Sequence, residues 1–398
     1  MRDNIIDFED ARGRETGLKR VNRKERKYRF GRFYRVCLIL LLIGAVVLAY
    51  FIYEKTKVYS TYQITSSVKR TPVEGAKVLD FGGTILSYSK DGANAMDETG
   101  KLLWNQTFDM QNPMISECED AVAFADYGGS KIYFQNKANE TGVISTDMPI
   151  RKISVAAKGY VAAVLEDVDV TWIYLYDLNG NAISYFRTTM EKSGYPVDVD
   201  ISPDGKMVAV SYYYMDCNDI KSSVAFFNFG PVGQNNVDNY VSGFNYTDTL
   251  VPIVRFLDDE NSISVSSSRL SIYSGAQKPV SISDMFINDE IQSVYYDKDV
   301  VAIVYLNKSE GDKYRLEVYN LKGEKLSERK FNFDYSDVTF GNGNVVLYGD
   351  KNIYISTYSG ATKYEGIYEE PIILTIPTVV RNKYIVVTED SIDTIELK

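Results

Sequence analysis

Three groups of acidic residues are close enough in the chain to bind a cation. They are Glu166, Asp167 and Asp169; Asp216 and Asp219; and Asp258, Asp259 and Glu260. Calcium takes several oxygen ligands on a flexible loop, so each group has suitable chemistry. The same residue types are common in solvated turns, and residues 177–181 (DLNGN), which begin like a calcium loop, lack its later glutamate. We therefore expect turns here and no metal site.

The composition excludes most other catalytic mechanisms. The chain has no histidine, which excludes Ser-His-Asp and Cys-His mechanisms and His-ligated metals. Three cysteines cannot build a disulfide framework or a four-thiolate zinc site; we expect Cys118 and Cys217 to be free, with a disulfide between them as the alternative. A pair of carboxylates could still hydrolyse a glycosidic bond, but no pair stands out. We predict a protein that is not an enzyme, with no catalytic residue and no cofactor.

Tyrosine is unusually frequent, with 32 residues against 18 Phe and 2 Trp. Neighbouring residues of a strand point to opposite faces, so runs of tyrosine place rings on both faces of a sheet. One ring of each run could then be exposed and bind a sugar or a partner protein, and the alternative is packing between sheets. The candidate binding residues are Tyr212, Tyr213, Tyr214, Tyr295 and Tyr296.

The N-terminal part of the chain predicts a membrane anchor. Residues 36–53 (VCLILLLIGAVVLAYFIY) carry no charge and would extend about 27 Å as a helix, close to the thickness of a hydrocarbon core. The alternative, a cleaved signal peptide, has a shorter apolar run, a shorter charged start and a small-residue cleavage site. Residues 1–35 have a net charge of +6. Because the whole chain has a net charge of −10, the remaining residues have a net charge of −16. The positive-inside rule therefore predicts a cytoplasmic tail (1–35), a single transmembrane helix (36–53) and an extracellular domain (54–398) in the cell membrane.

The outer domain consists of repeated short strands separated by turns. In VDVDISPDGKMVAVSYY, Val197, Val199 and Ile201 alternate with Asp198 and Asp200, and Pro-Asp-Gly then supplies a turn before the next strand. A second repeated piece, such as YDLNGNAISYF (176–186), has an Asp or Asn three residues before a glycine. In register, these pieces start units near residues 72, 113, 149, 195, 249, 290, 334 and 371. The mean spacing of about 43 residues is typical of a four-stranded propeller blade.

We therefore predict an all-β fold, a β-propeller of about eight four-stranded blades, with seven as the alternative because the unit at 113 is degenerate. The last unit contains only three strands, and residues 57–68 are expected to close the ring against 371–398. The segment 230–249 (GPVGQNNVDNYVSGFNYTDT) is expected to be a long polar loop.

The SPDG hairpin and the YDLNG-type turns resemble units of WD-repeat-like, TolB-like and quinoprotein-like propellers. The whole chain resembles an uncharacterised family, a domain of unknown function, of membrane-anchored propeller proteins from Gram-positive, clostridial-type bacteria. Quinoprotein enzymes would require a set of acidic and tryptophan residues around the cofactor, whereas this chain has only Trp104 and Trp172. The acidic outer domain also argues against nucleic acid as a partner. We predict a non-enzymatic scaffold or receptor for an envelope protein or glycan, with an envelope hydrolase or a signalling input protein as alternatives.

Overall fold

The computed structural model describes residues 34–35, 37–49, 53 and 57–398, except for 169, 190–192, 217–218, 248 and 308–310. The chain divides into two units, Met1–Val58 and Tyr59–Lys398. In the first unit the described residues 34–35, 37–49 and 53 are helical. Among the residues described, no helix has both the length and the apolar character needed to cross a membrane. Residues 36 and 50–52 of the predicted span lie outside the described residues.

The second unit is a ring of eight antiparallel sheets, here called blades 1–8, with four strands in each among the described residues. Blades 1 and 2 contain β2 (Lys77–Phe81), β3 (Thr84–Tyr88), β4 (Gly92–Met96) and β5 (Leu102–Thr107), then β6 (Pro113–Cys118), β7 (Ala121–Asp126), β8 (Lys131–Asn136) and β9 (Thr141–Ser145). Blades 3 and 4 contain β10 (Ile150–Val155), β11 (Val161–Glu166), β12 (Thr171–Tyr176) and β13 (Ala182–Thr188), then β14 (Tyr195–Ile201), β15 (Met207–Asp216), β16 (Asp219–Asn228) and β17 (Tyr240–Tyr246). Blades 5 and 6 contain β18 (Ile253–Phe256), β19 (Asn261–Ser266), β20 (Arg269–Ser274) and β21 (Val280–Phe286), then β22 (Ile291–Asp297), β23 (Val300–Leu306), β24 (Tyr314–Asn320) and β25 (Lys325–Phe331). Blade 7 contains β26 (Asp337–Gly341), β27 (Asn344–Gly349), β28 (Asn352–Thr357) and β29 (Thr362–Ile367), and blade 8 contains β30 (Leu374–Pro377), β31 (Lys383–Val387), β32 (Ser391–Leu397) and β1 (Tyr62–Lys69).

The prediction of eight four-stranded blades is confirmed, and the degenerate unit at 113 forms a full blade. In blade 8 the outer strand is β1, which pairs with β32 from Tyr62↔Leu397 to Lys69↔Ser391. The first strand of blade 1, β2, contacts the first strand of blade 8, β30. The first and last strands of the propeller are thus held in one sheet, which closes the ring.

The predicted turns connect the strands by side-chain hydrogen bonds to backbone amides. Asp177 Oδ1 accepts hydrogen bonds from the backbone amides of Asn179 and Asn181, both at 2.9 Å. The pKa of its carboxyl is lowered mainly by a further hydrogen bond from the Asn181 side chain, and then by these backbone amides. Gly180 follows with a φ of 81°, a conformation that favours glycine. The same acceptor position is occupied by an Asp or an Asn in two other blades, at Asp97 and Asn320. In these three blades local turn chemistry therefore fixes where the third strand reverses into the fourth.

The hydrophobic core lies between adjacent blades. In β12, Ile173 faces the cluster shared with blade 4, while its neighbours Trp172 and Tyr174 face the cluster shared with blade 2. Phe186 of blade 3 stacks on Phe227 of blade 4 with ring centroids 4.3 Å apart. Since each sheet is covered on both faces, its central strands are apolar on both sides, and each blade is stable only beside its neighbours.

Two expectations about blade 4 need correction. The segment 230–249 is not one long loop: after two short 3-10 helices, Gly233–Asn235 and Val237–Asn239, it forms the outer strand β17. Val241 and Tyr246 of this strand are buried, and apolar residues of this kind favour a strand over a polar loop. In β14 the register shifts between Pro196 and Asp198, so Val197 is exposed and does not share the buried face of Val199.

Candidate functional site

The inner strands of five blades end around one cavity at the centre of the ring. The cavity has a volume of about 550 Å³ and is lined by the carboxyl ends of β6, β10, β14, β18 and β22 together with the turns that follow them. These turns and Tyr62, where β1 begins, lie on one face of the ring, because alternate strands of a blade run in opposite directions. This opening, which we call the mouth cavity, is the place where residues of blades 2 to 6 meet.

A network of buried charges links blades 3, 4 and 5 at the mouth cavity. Asp198 is completely buried; its carboxylate accepts a hydrogen bond from Arg255 and one from the Val254 amide at 3.0 Å. The ammonium of Lys152 lies 2.9 Å from the other carboxylate oxygen of Asp198. A buried carboxylate needs such partners, because an unpaired charge away from water is costly.

Asp200 completes this network two residues further along β14. Its carboxylate accepts hydrogen bonds from the Ser154 hydroxyl and the Phe256 amide, both at 2.7 Å. Burial raises the pKa of Asp200 to about 6, although the neighbouring Arg255 acts in the opposite direction. The network therefore fixes the relative positions of three blades and presents Lys152 and Arg255, each partly exposed, to the cavity.

Glu117 lines the mouth cavity from blade 2. Its side chain is exposed to the cavity, although the surrounding blades still desolvate its carboxylate. Burial, together with the charges of Asp80 and Asp337, raises the pKa of Glu117 to about 7. Burial also raises the pKa of each of those two aspartates. The acids on the inner strands of blades 1 and 7 thus oppose the ionisation of Glu117 on blade 2.

The structure separates the five candidate tyrosines. Tyr212 is buried in the core between blades 3 and 4, and burial raises its pKa far above the ordinary value. Tyr213 is half-buried, with its ring 5.5 Å from that of Tyr195, and Tyr214 is half-buried as well. Tyr295 packs against the core between blades 6 and 7. Tyr296 is 39% exposed and lines the mouth cavity, so one of the five lies at the cavity.

The acidic groups singled out in the sequence lie in turns or ion pairs where the structure describes them. Asp258 accepts hydrogen bonds from the amides of Glu260 and Asn261, and Asp259 accepts one from the Asp204 amide at 2.8 Å. Glu166 pairs with Arg151, and Asp216 with Lys221. Asp169 and Cys217 lie outside the described residues, and Cys118 is a free thiol beside the mouth cavity. Within the described ranges, no three acidic or cysteine side chains are grouped as metal ligands.

The sequence did not identify the residues that form the cavity network. Lys152, Asp198, Asp200 and Arg255 come from three repeats, up to 103 positions apart. A signal was present in VDVDI, where two acids interrupt a strand that is otherwise apolar. On a propeller's inner strand both faces contact neighbouring blades, so charges there are buried near the centre of the ring and need partners.

Fold and cavity define this protein as an eight-bladed β-propeller with a polar cavity at one mouth of the ring. The chain belongs to the family of unknown function designated DUF5711, whose family model matches residues 55–397. No curated protein matches the chain.

Solved structures with similar folds share 10% sequence identity with this chain. BamB from Moraxella catarrhalis aligns with a TM-score of 0.48, covering 85% of this chain and 100% of that one. The computationally designed protein Ika8 gives 0.50, with 86% and 100% covered. Apo AztD from Citrobacter koseri gives 0.50, with 77% and 92% covered. At this level of identity the similarity concerns the fold alone.

Proposed function

We propose that this protein is a non-enzymatic binding scaffold or receptor whose mouth cavity holds part of an envelope protein or glycan. The proposal includes a tether: residues 36–53 anchor the chain in the cell membrane of a Gram-positive, clostridial-type bacterium. The tail 1–35 is then cytoplasmic and the propeller extracellular. The charge asymmetry of the sequence supports this orientation.

The observation that carries the binding proposal is the mouth cavity itself. Five blades contribute to it, and hydrogen-bonded charges of blades 3, 4 and 5 hold its wall rigid. A concave site with a few fixed polar groups and an exposed aromatic ring, here Tyr296, is the usual form of a specific binding site. Rigid groups lose little entropy on binding, so this wall is suited to recognition.

Crosslinking in intact cells, followed by mass spectrometry of what the full-length chain captures, tests this function. Tyr296→Ser removes the exposed ring at the cavity, and Tyr185→Ser is the matched control, because Tyr185 is 58% exposed on the outer strand β13. We expect one or two envelope components to be captured repeatedly, lost in Tyr296→Ser and retained in Tyr185→Ser. Equal capture by both variants contradicts a role for the mouth cavity.

An envelope hydrolase is the second candidate, favoured by one observation. Glu117 and Asp200 line the same cavity, and their pKa values are raised to about 7 and about 6, the range in which a carboxylic acid can donate a proton. Release of sugar fragments from envelope polysaccharide, abolished by Glu117→Gln and by Asp200→Asn, would support this candidate. No release by the wild-type chain excludes it for that substrate.

A further inference from the structure

The mouth cavity is lined by charged side chains of both signs. Its lining contains the cations Lys152, Arg255 and Lys298 and the acids Glu117, Glu119, Asp200 and Asp297. A ligand that carries only one sign of charge would be attracted to some of these groups and repelled by the others. The lining therefore favours a ligand without net charge, whose polar groups can both donate and accept hydrogen bonds.

Donors and acceptors of the lining remain available to a ligand after the bonds within the protein are made. The ammonium of Lys152 lies 2.9 Å from the buried Asp198, and the guanidinium of Arg255 donates to Asp198 and to a backbone carbonyl. An ammonium has three N–H donors and a guanidinium has five, so both cations keep donors that can bond to a ligand. On the acceptor side, the described part of the chain gives Glu117 neither a hydrogen bond nor an ion pair. The cavity thus presents donors that Asp198 holds in place, together with an available carboxylate.

An aromatic ring lies where these charged groups come together. Tyr296, on β22, lines the cavity and is 39% exposed. The charges of Arg255, Asp200 and Glu117 all act on its hydroxyl, so side chains of blades 2, 4 and 5 come close to this one ring. An exposed ring beside hydrogen-bonding groups can stack on the apolar face of a sugar ring while those groups bond to the sugar hydroxyls.

We propose that the mouth cavity binds a neutral oligosaccharide of the cell envelope, stacked on Tyr296 and hydrogen-bonded to Lys152, Arg255 and Glu117. The inference names the ligand class of the proposed function and rests on that function. A hydroxyl group has one donor and two acceptor lone pairs, so a single polyhydroxyl ligand can bond to the cations and to the carboxylate at once. The cavity volume of about 550 Å³ lies within the usual range for small-ligand sites, roughly 300–1,000 Å³, and leaves room for a short oligosaccharide.

The salt dependence of binding separates a neutral sugar from a charged ligand. Salt screens the attraction between charged groups, so added salt weakens the binding of a basic peptide or of an acidic polymer. Stacking and hydrogen bonds to neutral hydroxyls depend little on this screening. We therefore expect the affinity for a neutral oligosaccharide to change less than about twofold between about 0.05 M and about 0.5 M salt.

The test is calorimetric titration of the purified full-length chain, in micelles of a detergent whose head group is not a sugar and cannot compete. The neutral probes are the linear trisaccharides of glucose and of N-acetylglucosamine. Trigalacturonic acid is the anionic probe, and a blocked Gly-Lys-Gly peptide represents a protein partner. Tyr296→Ser removes the ring, Tyr296→Phe keeps it, and Tyr185→Ser on the outer strand β13 is the matched control. Glu117→Ala removes the acceptor, with Glu98→Ala in an exposed turn of blade 1 as its control.

We expect at least one neutral trisaccharide to bind, more tightly than the anionic probe and the peptide. Tyr296→Ser and Glu117→Ala should each weaken this binding at least about tenfold, whereas Tyr296→Phe should stay within about threefold of the wild type and both controls should be unchanged.

Three results would each overturn the proposal: no binding of either neutral trisaccharide, tighter binding of the anionic probe or the peptide, or undiminished binding by both Tyr296→Ser and Glu117→Ala. If the neutral trisaccharides fail to bind but cells still show a captured protein that is lost in Tyr296→Ser, the sugar assignment is wrong while the binding function stands. Failure of both the titration and the capture would refute the proposed function as well.

Discussion

Replacing Asp198 with asparagine tests whether the buried charges hold blades 3, 4 and 5 together. Asp198 is completely buried, so Asp198→Asn keeps the shape of the side chain but leaves Lys152 and Arg255 without their counter-ion. Breaking a buried ion pair from one side costs about 3–5 kcal/mol. Both cations are partly exposed and Asp200 lies close to Arg255, so we expect the lower end, about 3 kcal/mol.

The melting temperature converts this free energy into a measurable shift. An unfolding entropy of about 2.1 cal/mol/K per residue gives roughly 0.7 kcal/mol/K for the unit 59–398, so about 3 kcal/mol lowers the melting temperature by about 4 °C. The control is Asp120→Asn, which removes an ion pair with Lys137 from a side chain that is 71% exposed. Such surface pairs contribute about 0–1 kcal/mol, or roughly 1 °C here. Thermal unfolding followed by circular dichroism compares the two variants, and equal shifts would refute the reasoning about burial.

Three other perturbations have definite expected outcomes. A chain that starts at Lys57 should melt like the full chain, whereas one that starts at Thr71 should melt about 10 °C lower. The β1–β32 ladder of seven residue pairs is then lost at about 1 kcal/mol per hydrogen bond, and roughly 0.7 kcal/mol corresponds to one degree. Identical melting would show that β1 is not needed for closure. In denaturant titrations, Tyr212→Ala should lower the free energy of unfolding by about 3–5 kcal/mol and Tyr296→Ala by about 1 kcal/mol or less, because only Tyr212 is buried. A larger loss in Tyr296→Ala than in Tyr212→Ala would contradict this difference in burial. The pKa of Glu117 is raised on folding from 4.5 to about 7, so between these pH values the unfolded chain loses a proton that the folded chain keeps. The free energy of unfolding of the wild type should therefore fall relative to that of Glu117→Gln as the pH rises through this interval. Parallel pH profiles of the two proteins would argue against the raised pKa.

Sequence reasoning recovered the repeat because turn and strand chemistry is local. The Asp-x-x-Gly turns and the SPDG hairpin fix where strands reverse, and the predicted unit starts lie within about five residues of the observed blades. The last repeat has three strands of its own, which pointed to a strand from elsewhere in the chain, and β1 occupies that place.

The cavity could not be predicted in the same way, since its residues meet only when the ring closes. Tyr212 and Tyr296 both lie in runs of tyrosine, yet one packs between blades and the other faces the cavity. Which ring is buried depends on strand position within the blade and on the neighbouring blade, neither of which a single repeat specifies. Likewise the burial of Asp198 follows from the register shift beside Val197 and from cations in two other blades.

The central claim is that the mouth cavity binds the partner. The most direct measurement is site-specific photo-crosslinking of the full-length chain in living cells. A photoreactive phenylalanine analogue is placed either at position 296, in the mouth cavity, or at the control position 367, which is 70% exposed on the outer strand β29. We predict one discrete crosslinked species from position 296 and none from position 367. A discrete species from position 367 with none from position 296 would contradict the account.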